Sequence, residues 1–155
     1  MEQVKGNFRI STNKAELQFD VIHQYLSQHS YWAKNISRER LQRALDHSIC
    51  FGVYDGNKQI GFARVVTDSA VIAYLGDVFI LESFRGLGLS KWLMQAIVEH
   101  DELTNLRRFV LATKDAHGLY RQYGFTPMEF PERWMERVNN EIYKSGEWVD
   151  KKPDN

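Results

Sequence analysis

A chain of 155 residues suffices for one domain with a real core and is too short for two ordinary ones. Its 20 basic and 20 acidic side chains cancel, so no global field draws it to nucleic acid or to a membrane surface, and any anion it binds is held locally. One cysteine, Cys50, excludes an internal disulfide framework; with no apolar leader in residues 1–6 and no run near the roughly 20 apolar residues of a membrane span, the expected compartment is the reducing cytoplasm.

In chain order, Phe8-Arg9-Ile10 reads as a short first strand. Asn13 and Glu16 form a capping box, and Leu17, Val21, Ile22, Tyr25 and Leu26 follow at helical spacing. A second short helix starts at Ser37 with Leu41, Ala44 and Leu45 facing inward; the loop between the helices carries Tyr31 and Trp32. Residues 49–54 and 59–66 are strands joined by a hairpin turn at Asp55-Gly56-Asn57. Residues 71–81 form a long apolar strand broken by Gly76, which signals a bulge or a close backbone approach. Leu89, Trp92, Leu93, Ala96 and Ile97 share one face of a helix that opens after Gly88. Residues 107–113 read as a strand and 116–123 as a short helix, ended by Gly124 as a left-handed C-cap. A last strand near 125–130 and a helix opened by Pro131 and running to about Tyr143 complete a domain at residues 1–145, with 146–155 expected to be a mobile tail. This order gives a mixed α/β fold around one sheet.

The densest chemical signal is Phe84-Arg85-Gly86-Leu87-Gly88-Leu89-Ser90. A strand passes through a short hinge into an arginine and two glycines, and an amphipathic helix opens at once. Bare N–H groups and the positive end of a helix then meet at one spot, which makes an anion site. A dinucleotide fingerprint needs a third glycine where Lys91 stands, and a P-loop needs a Gly-Lys-Ser/Thr run that the chain lacks, so both readings fail.

The pattern that fits is Arg-x-x-Gly-x-Gly/Ala. Arg85 to Ser90 is similar to this pyrophosphate-binding motif of the GNAT superfamily of acyl-CoA-dependent N-acyltransferases; Ser90 replaces the usual Gly or Ala and is still small. A second stretch, Ala116-His-Gly-Leu-Tyr-Arg-Gln-Tyr-Gly-Phe125, resembles the family's Ala-x-x-Leu/Phe-Tyr-x-x-x-Gly-Phe segment. The resemblance implies a single-domain fold whose mixed sheet is splayed near the fourth strand and flanked by helices. It also implies acetyl-CoA as acyl donor, attacked directly in a ternary complex by a primary amine of a small-molecule acceptor.

Carried over residue by residue, the resemblance assigns the pyrophosphate to the loop of Arg85, Gly86, Leu87, Gly88, Leu89 and Ser90, and the pantetheine arm to the backbone of Val78, Phe79 and Ile80. Thr113 stands where asparagine is common, so that contact to the arm differs. Tyr120 holds the position of the tyrosine that protonates the departing thiolate. Tyr31 and Trp32 lie in the loop that covers the acceptor in the family, and homodimers are frequent there.

Asp77, directly before the pantetheine segment, is the best-placed carboxylate to take the amine's proton, directly or through one water; the competing role is a solvated or substrate-binding carboxylate. Arg64 is a candidate for meeting an acidic group of the acceptor, with a plain surface charge as the alternative. His117 lies one turn before Tyr120 as a candidate proton relay, and Trp134 and Met135 either close the pocket or staple the last helix. Cys50, in an apolar strand, reads as a structural thiol. The histidines show no ligand spacing, so no metal is expected. The rival to an enzyme is a non-catalytic acyl-CoA-binding or sensor module.

Overall fold

Six strands lie in one sheet in the order in which they occur along the chain: β1 (Glu2–Lys5), β2 (Phe8–Ser11), β3 (Ile49–Asp55), β4 (Lys58–Thr67), β5 (Ile72–Ile80) and β6 (Arg108–Leu111). Neighbours are antiparallel except β5 and β6, which are parallel. The helices are α1 (Phe19–Gln24), continued by a π turn over Tyr25–His29, then α2 (Arg38–Asp46), α3 (Leu89–Val98) and α4 (His117–Arg121). This computed structural model describes residues 1–144, so the expected tail at 146–155 lies outside the described residues. Among those residues no helix is long and apolar enough to cross a membrane.

The sheet is covered on both faces, as the largely apolar strands β3 and β4 require. One face packs Phe51, Val53, Ala63, Val65, Ala73 and Leu75 against Leu89, Leu93, Met94 and Ile97 of α3. The other packs Cys50, Phe62 and Phe79 against Ile22 and Leu26 of the first helix and Leu41 and Leu45 of α2. Cys50 is buried, and desolvation pushes its thiol up to about 11, which suits a packing role.

The position of the site follows from a break in β5. Strict alternation would put Leu75, Asp77 and Phe79 on one face. Leu75 instead packs towards α3 and Phe79 towards α1 and α2. Between them the register with β4 shifts, and Asp77 takes a left-handed backbone at φ 55°. One extra residue inverts the facing, which is what a bulge does, and aspartate is among the few non-glycine residues that tolerate that region. Gly76 sits beside the break, where a Cβ would stand 3.1 Å from the ring of Tyr74.

Four expectations need correction. The chain opens with a hairpin, β1–β2, turned at Gly6 with φ 60°, where only the second strand was legible. Asn13 caps Ala15 and bonds Glu16, yet the result is a single 3-10 turn over Lys14–Glu16; the α-helix starts at Phe19. Glu16 is drawn to Arg9 on β2, whose hydrogen bond holds the carboxyl below its usual range, and Leu17 leaves in an extended conformation. No strand forms over 125–130, because Pro127 has no N–H to give to the edge of β6. The helix from Pro131 shrinks to a turn, Pro131–Arg133: Met135 is 97% exposed and Val138 58%, so these positions bury no apolar face, although Tyr143 packs against the core.

Inside β3, Tyr54 is fully buried, and its hydroxyl has no hydrogen-bond partner among the described residues. Its ring fills the space above Gly52, where a Cβ would stand 2.3 Å from the hydroxyl oxygen. Gly52→Ala is therefore expected to cost about 1–3 kcal/mol through overpacking, while Tyr54→Phe removes an unpaired oxygen and holds or raises stability, both read by urea unfolding. Burial also pushes the Tyr54 phenol up to about 12. A raised phenol stabilises the fold fully below the ordinary value of about 10 and loses that contribution as pH climbs through the folded value. The wild type should thus lose stability between pH 10 and about 12 more steeply than Tyr54→Phe.

Candidate active site

β5 and β6 pair only from Ile72 opposite Arg108 to Leu75 opposite Leu111. Beyond that point the strands part: Gly76, Phe79 and Ile80 pair with β4 alone, and Asp77 and Val78 lie in the bulge between them. The sheet is therefore splayed at the segment assigned to the pantetheine arm, and a cavity of about 390 Å³ opens in the gap. Its walls include Asp77, Val78, Thr113 and Tyr120, together with Tyr31, Trp32 and Arg64. All three residues expected at the acceptor thus line the same space as the expected acid and base.

Asp77 is 8% exposed and not solvated. The bulge turns it towards α1 and α2, where Trp32 donates its indole N–H to Oδ1 at 2.8 Å and Arg64 donates Nε–H to Oδ2. Arg64 reaches it because Phe62 and Arg64 lie two apart on β4 and so share a face, and Arg64 pairs with Gly76 across the ladder. Its Nη1 also donates to Ser48 Oγ at 3.3 Å. Arg64 is thus the partner of a buried carboxylate and not a plain surface charge. Each carboxylate oxygen keeps a lone pair for a further donor.

The interhelical loop closes the cavity from above. Tyr31 Oη accepts the backbone N–H of Lys114 at 3.1 Å, past the end of β6, while Trp32 reaches the β5 side. The two rings touch edge to face, with centroids 5.0 Å apart. This loop therefore spans the gap between the parted strands. Tyr74, a wall residue that sequence reading passed over, stands opposite; its exposed position on β5 gave no signal.

Tyr120, on α4, is buried against Phe125, and desolvation raises its phenol above the ordinary range. Gly124 adopts φ 85° after the helix, and the N–H of Phe125 returns to the carbonyl of Tyr120 at 3.3 Å, which fixes the tyrosine's helix as the spacing predicts. Thr113 accepts the N–H of Ala116 at 3.0 Å, so its oxygen anchors the turn into α4 while lining the cavity. His117 is exposed and lines a neighbouring cleft, whose wall shares Leu111, Ala112, Thr113 and Tyr120 with the cavity. Trp134 and Met135 do not close the site: Trp134 stacks under Arg108 at the far edge of β6, and Met135 faces solvent.

The glycine loop presents a row of unpaired backbone donors. Gly86 and Gly88 take left-handed backbones at φ 80° and 76°, and α3 begins at Leu89 without a side-chain cap. Arg85 N–H is spent on Glu82 and Trp92 N–H on Gly88, but the N–H groups of Gly86, Leu87, Gly88, Leu89, Ser90 and Lys91 donate to nothing among the described residues. Six consecutive free donors at the start of a helix fit a diphosphate, whose oxygens accept several hydrogen bonds at once. The Arg85 side chain braces the loop, donating Nε–H to the carbonyl of Ile80 at 3.2 Å and Nη2–H to Tyr25 Oη at 3.1 Å.

This geometry has known counterparts. A family profile described as "Acetyltransferase (GNAT) domain" matches residues 46–127. A crystal structure of a GNAT-family protein from Xanthomonas campestris pv. campestris superposes with a TM-score of 0.87 at 50% identity, covering 90% of this chain and 99% of that one. A Gibberella zeae protein that bears an acetyltransferase name is 33% identical over 136 residues, 75% of this chain and 77% of its own. The rice chloroplast enzyme serotonin N-acetyltransferase 2 (Oryza sativa subsp. japonica) is 32% identical over 93 residues, 56% of this chain and 46% of its own. The chain belongs to the GNAT family of acetyltransferases.

Proposed function

We propose that the protein transfers an acetyl group from acetyl-CoA to the primary amine of a small, partly apolar acceptor, by direct attack in a ternary complex. The observation that carries the reading is the row of six free N–H donors at 86–91 set beside the open edge of β5. Together they match the two halves of the donor, a charged diphosphate and an extended amide-bearing arm. The family uses acetyl-CoA, which fits this pairing. The acceptor class is supported by the aromatic walls Tyr31, Trp32 and Tyr74, and by the rice relative, which is named for the N-acetylation of serotonin.

Acetyl-CoA supplies the activated thioester; the chain's own groups do the rest. The loop N–H groups hold the diphosphate, and the β5 edge holds the arm, so the thioester is delivered between the parted strands. An N–H of the open edge at 78–80 stabilises the charge that develops on the thioester oxygen. An alkyl ammonium with pKa ~10 is only about 0.1% neutral at pH 7, so attack requires loss of a proton. Asp77 is the acceptor of that proton, directly or through one water. It is held in place by Trp32 and Arg64, and its orientation costs nothing at the moment of reaction. Tyr120 returns a proton to the leaving thiolate; its raised pKa keeps it a phenol until the thiolate forms.

A panel of primary amines with acetyl-CoA, scored by thiol release and by mass spectrometry of the product, tests the reading. Amide products from small amines with some apolar surface are expected. Saturable acetyl-CoA binding with no amine turned over would leave the non-catalytic binding module as the better account.

A further inference from the structure

We infer that the acceptor carries an acidic group beside its amine, so that the substrate class is an α-amino acid with an apolar or aromatic side chain, its carboxylate taken by Arg64. The inference rests on the acyl-transfer reading and narrows it.

A guanidinium has five N–H donors in a planar fork. Had Arg64 only to neutralise Asp77, the pair would be bidentate, with Nε on one oxygen and Nη2 on the other. Instead Trp32 occupies Oδ1, and Arg64 reaches Asp77 through Nε alone. Ser48 takes one donor of Nη1, and Nη2 makes no hydrogen bond among the described residues. The side chain is only 20% exposed and lines the cavity. The structure therefore holds a half-buried cation rigidly, with donors left over, in the wall where the acceptor sits. Leaving those donors unmet is costly, and a carboxylate is the group that meets them best.

The rest of the lining agrees. Lys114 adds a second cation, with its Nζ 5.6 Å from the Tyr31 ring centroid, while Asp77 and Asp115 supply the two anions of the wall. A wall with both signs and several aromatic faces suits a ligand that is zwitterionic at one end and apolar at the other. A plain arylalkylamine would fill the aromatic part and leave Nη2 of Arg64 without an acceptor.

The test uses matched pairs that differ only by a carboxylate: tryptophan with tryptamine, phenylalanine with phenethylamine, and leucine with isopentylamine. Acetyl-CoA affinity is measured by calorimetry before any acceptor is added, so absence of the donor site is scored separately and would overturn the acyl-transfer reading itself. With the donor bound, kcat/KM should favour the carboxylate-bearing member by roughly 10- to 100-fold, the range of a hydrogen bond to a charged group, with the difference mainly in KM. Arg64→Gln should abolish the preference, and Arg64→Lys, which keeps the charge and loses the fork, should retain part of it. Because removing Arg64 leaves Asp77 unpaired and can cost the fold, the wild-type pairs and Arg64→Lys decide the matter alone. Equal use of both members, preference for the amines without carboxylate, turnover of no pair, or a preference that survives Arg64→Gln would overturn the inference.

Discussion

Tyr120→Phe is expected to lower kcat by roughly 100- to 10,000-fold, the range of general acid catalysis, while acetyl-CoA affinity stays within about twofold. The ring is buried against Phe125 and Tyr120 lines the cavity, so phenylalanine keeps the packing and removes only the hydroxyl, the proposed proton donor. Burial holds the phenol above its ordinary range, so it stays protonated through neutral pH and can give its proton to a thiolate. Kinetics and calorimetry on the same preparation check the split between rate and affinity. An unchanged rate would remove Tyr120 from the chemistry. A non-catalytic module would show no rate to lose, which separates the two classes of function.

Gly88→Asp is expected to weaken acetyl-CoA binding by more than ~100-fold, with little change in the fold away from the loop. Two effects act in the same direction. The backbone at φ 76° is one that a residue with a Cβ adopts only at a cost, although aspartate is among the more tolerant. The new carboxylate also stands at the N-terminus of α3, among the free N–H groups, where it competes with the diphosphate for the donors proposed to hold it. A saturating ligand at 100 times its Kd adds about 2.7 kcal/mol to the stability of the protein that binds it. Thermal unfolding with and without acetyl-CoA should therefore show a clear shift for the wild type and none for the variant. An equal shift in both would place the diphosphate elsewhere.

The parts of the fold that sequence reading reached are those with strong local chemistry. Ser37 caps α2 by accepting the N–H of Arg40, Gly56 turns the β3–β4 hairpin at φ 56°, and Gly124 ends α4. Each is a short-range signal, and each stands in the structure. The loop at 85–90 was legible for the same reason, because its glycines, its arginine and the following helix are contiguous.

What escaped depends on partners distant in sequence. The hydrogen bond of Trp32 to Asp77 spans 45 residues, and nothing near either residue announces it. The pairing of Arg64 with Asp77 depends on a bulge that reverses the facing of β5; Gly76 hinted at the break without saying which way it turned its neighbour. The missing last strand and the shortened last helix failed differently. Their local patterns were reasonable, but Pro127 lacks the N–H for a ladder and Met135 and Val138 stay exposed, so neither element gains a buried face.

The central claim is that the loop at 86–91 and the open edge of β5 form one donor site. Calorimetric titration of the wild-type protein with acetyl-CoA tests it most directly. A single saturable site, competed by coenzyme A and lost in Gly88→Asp, is the predicted result. A folded protein that takes up no heat from acetyl-CoA, and whose melting temperature acetyl-CoA leaves unmoved, would contradict it.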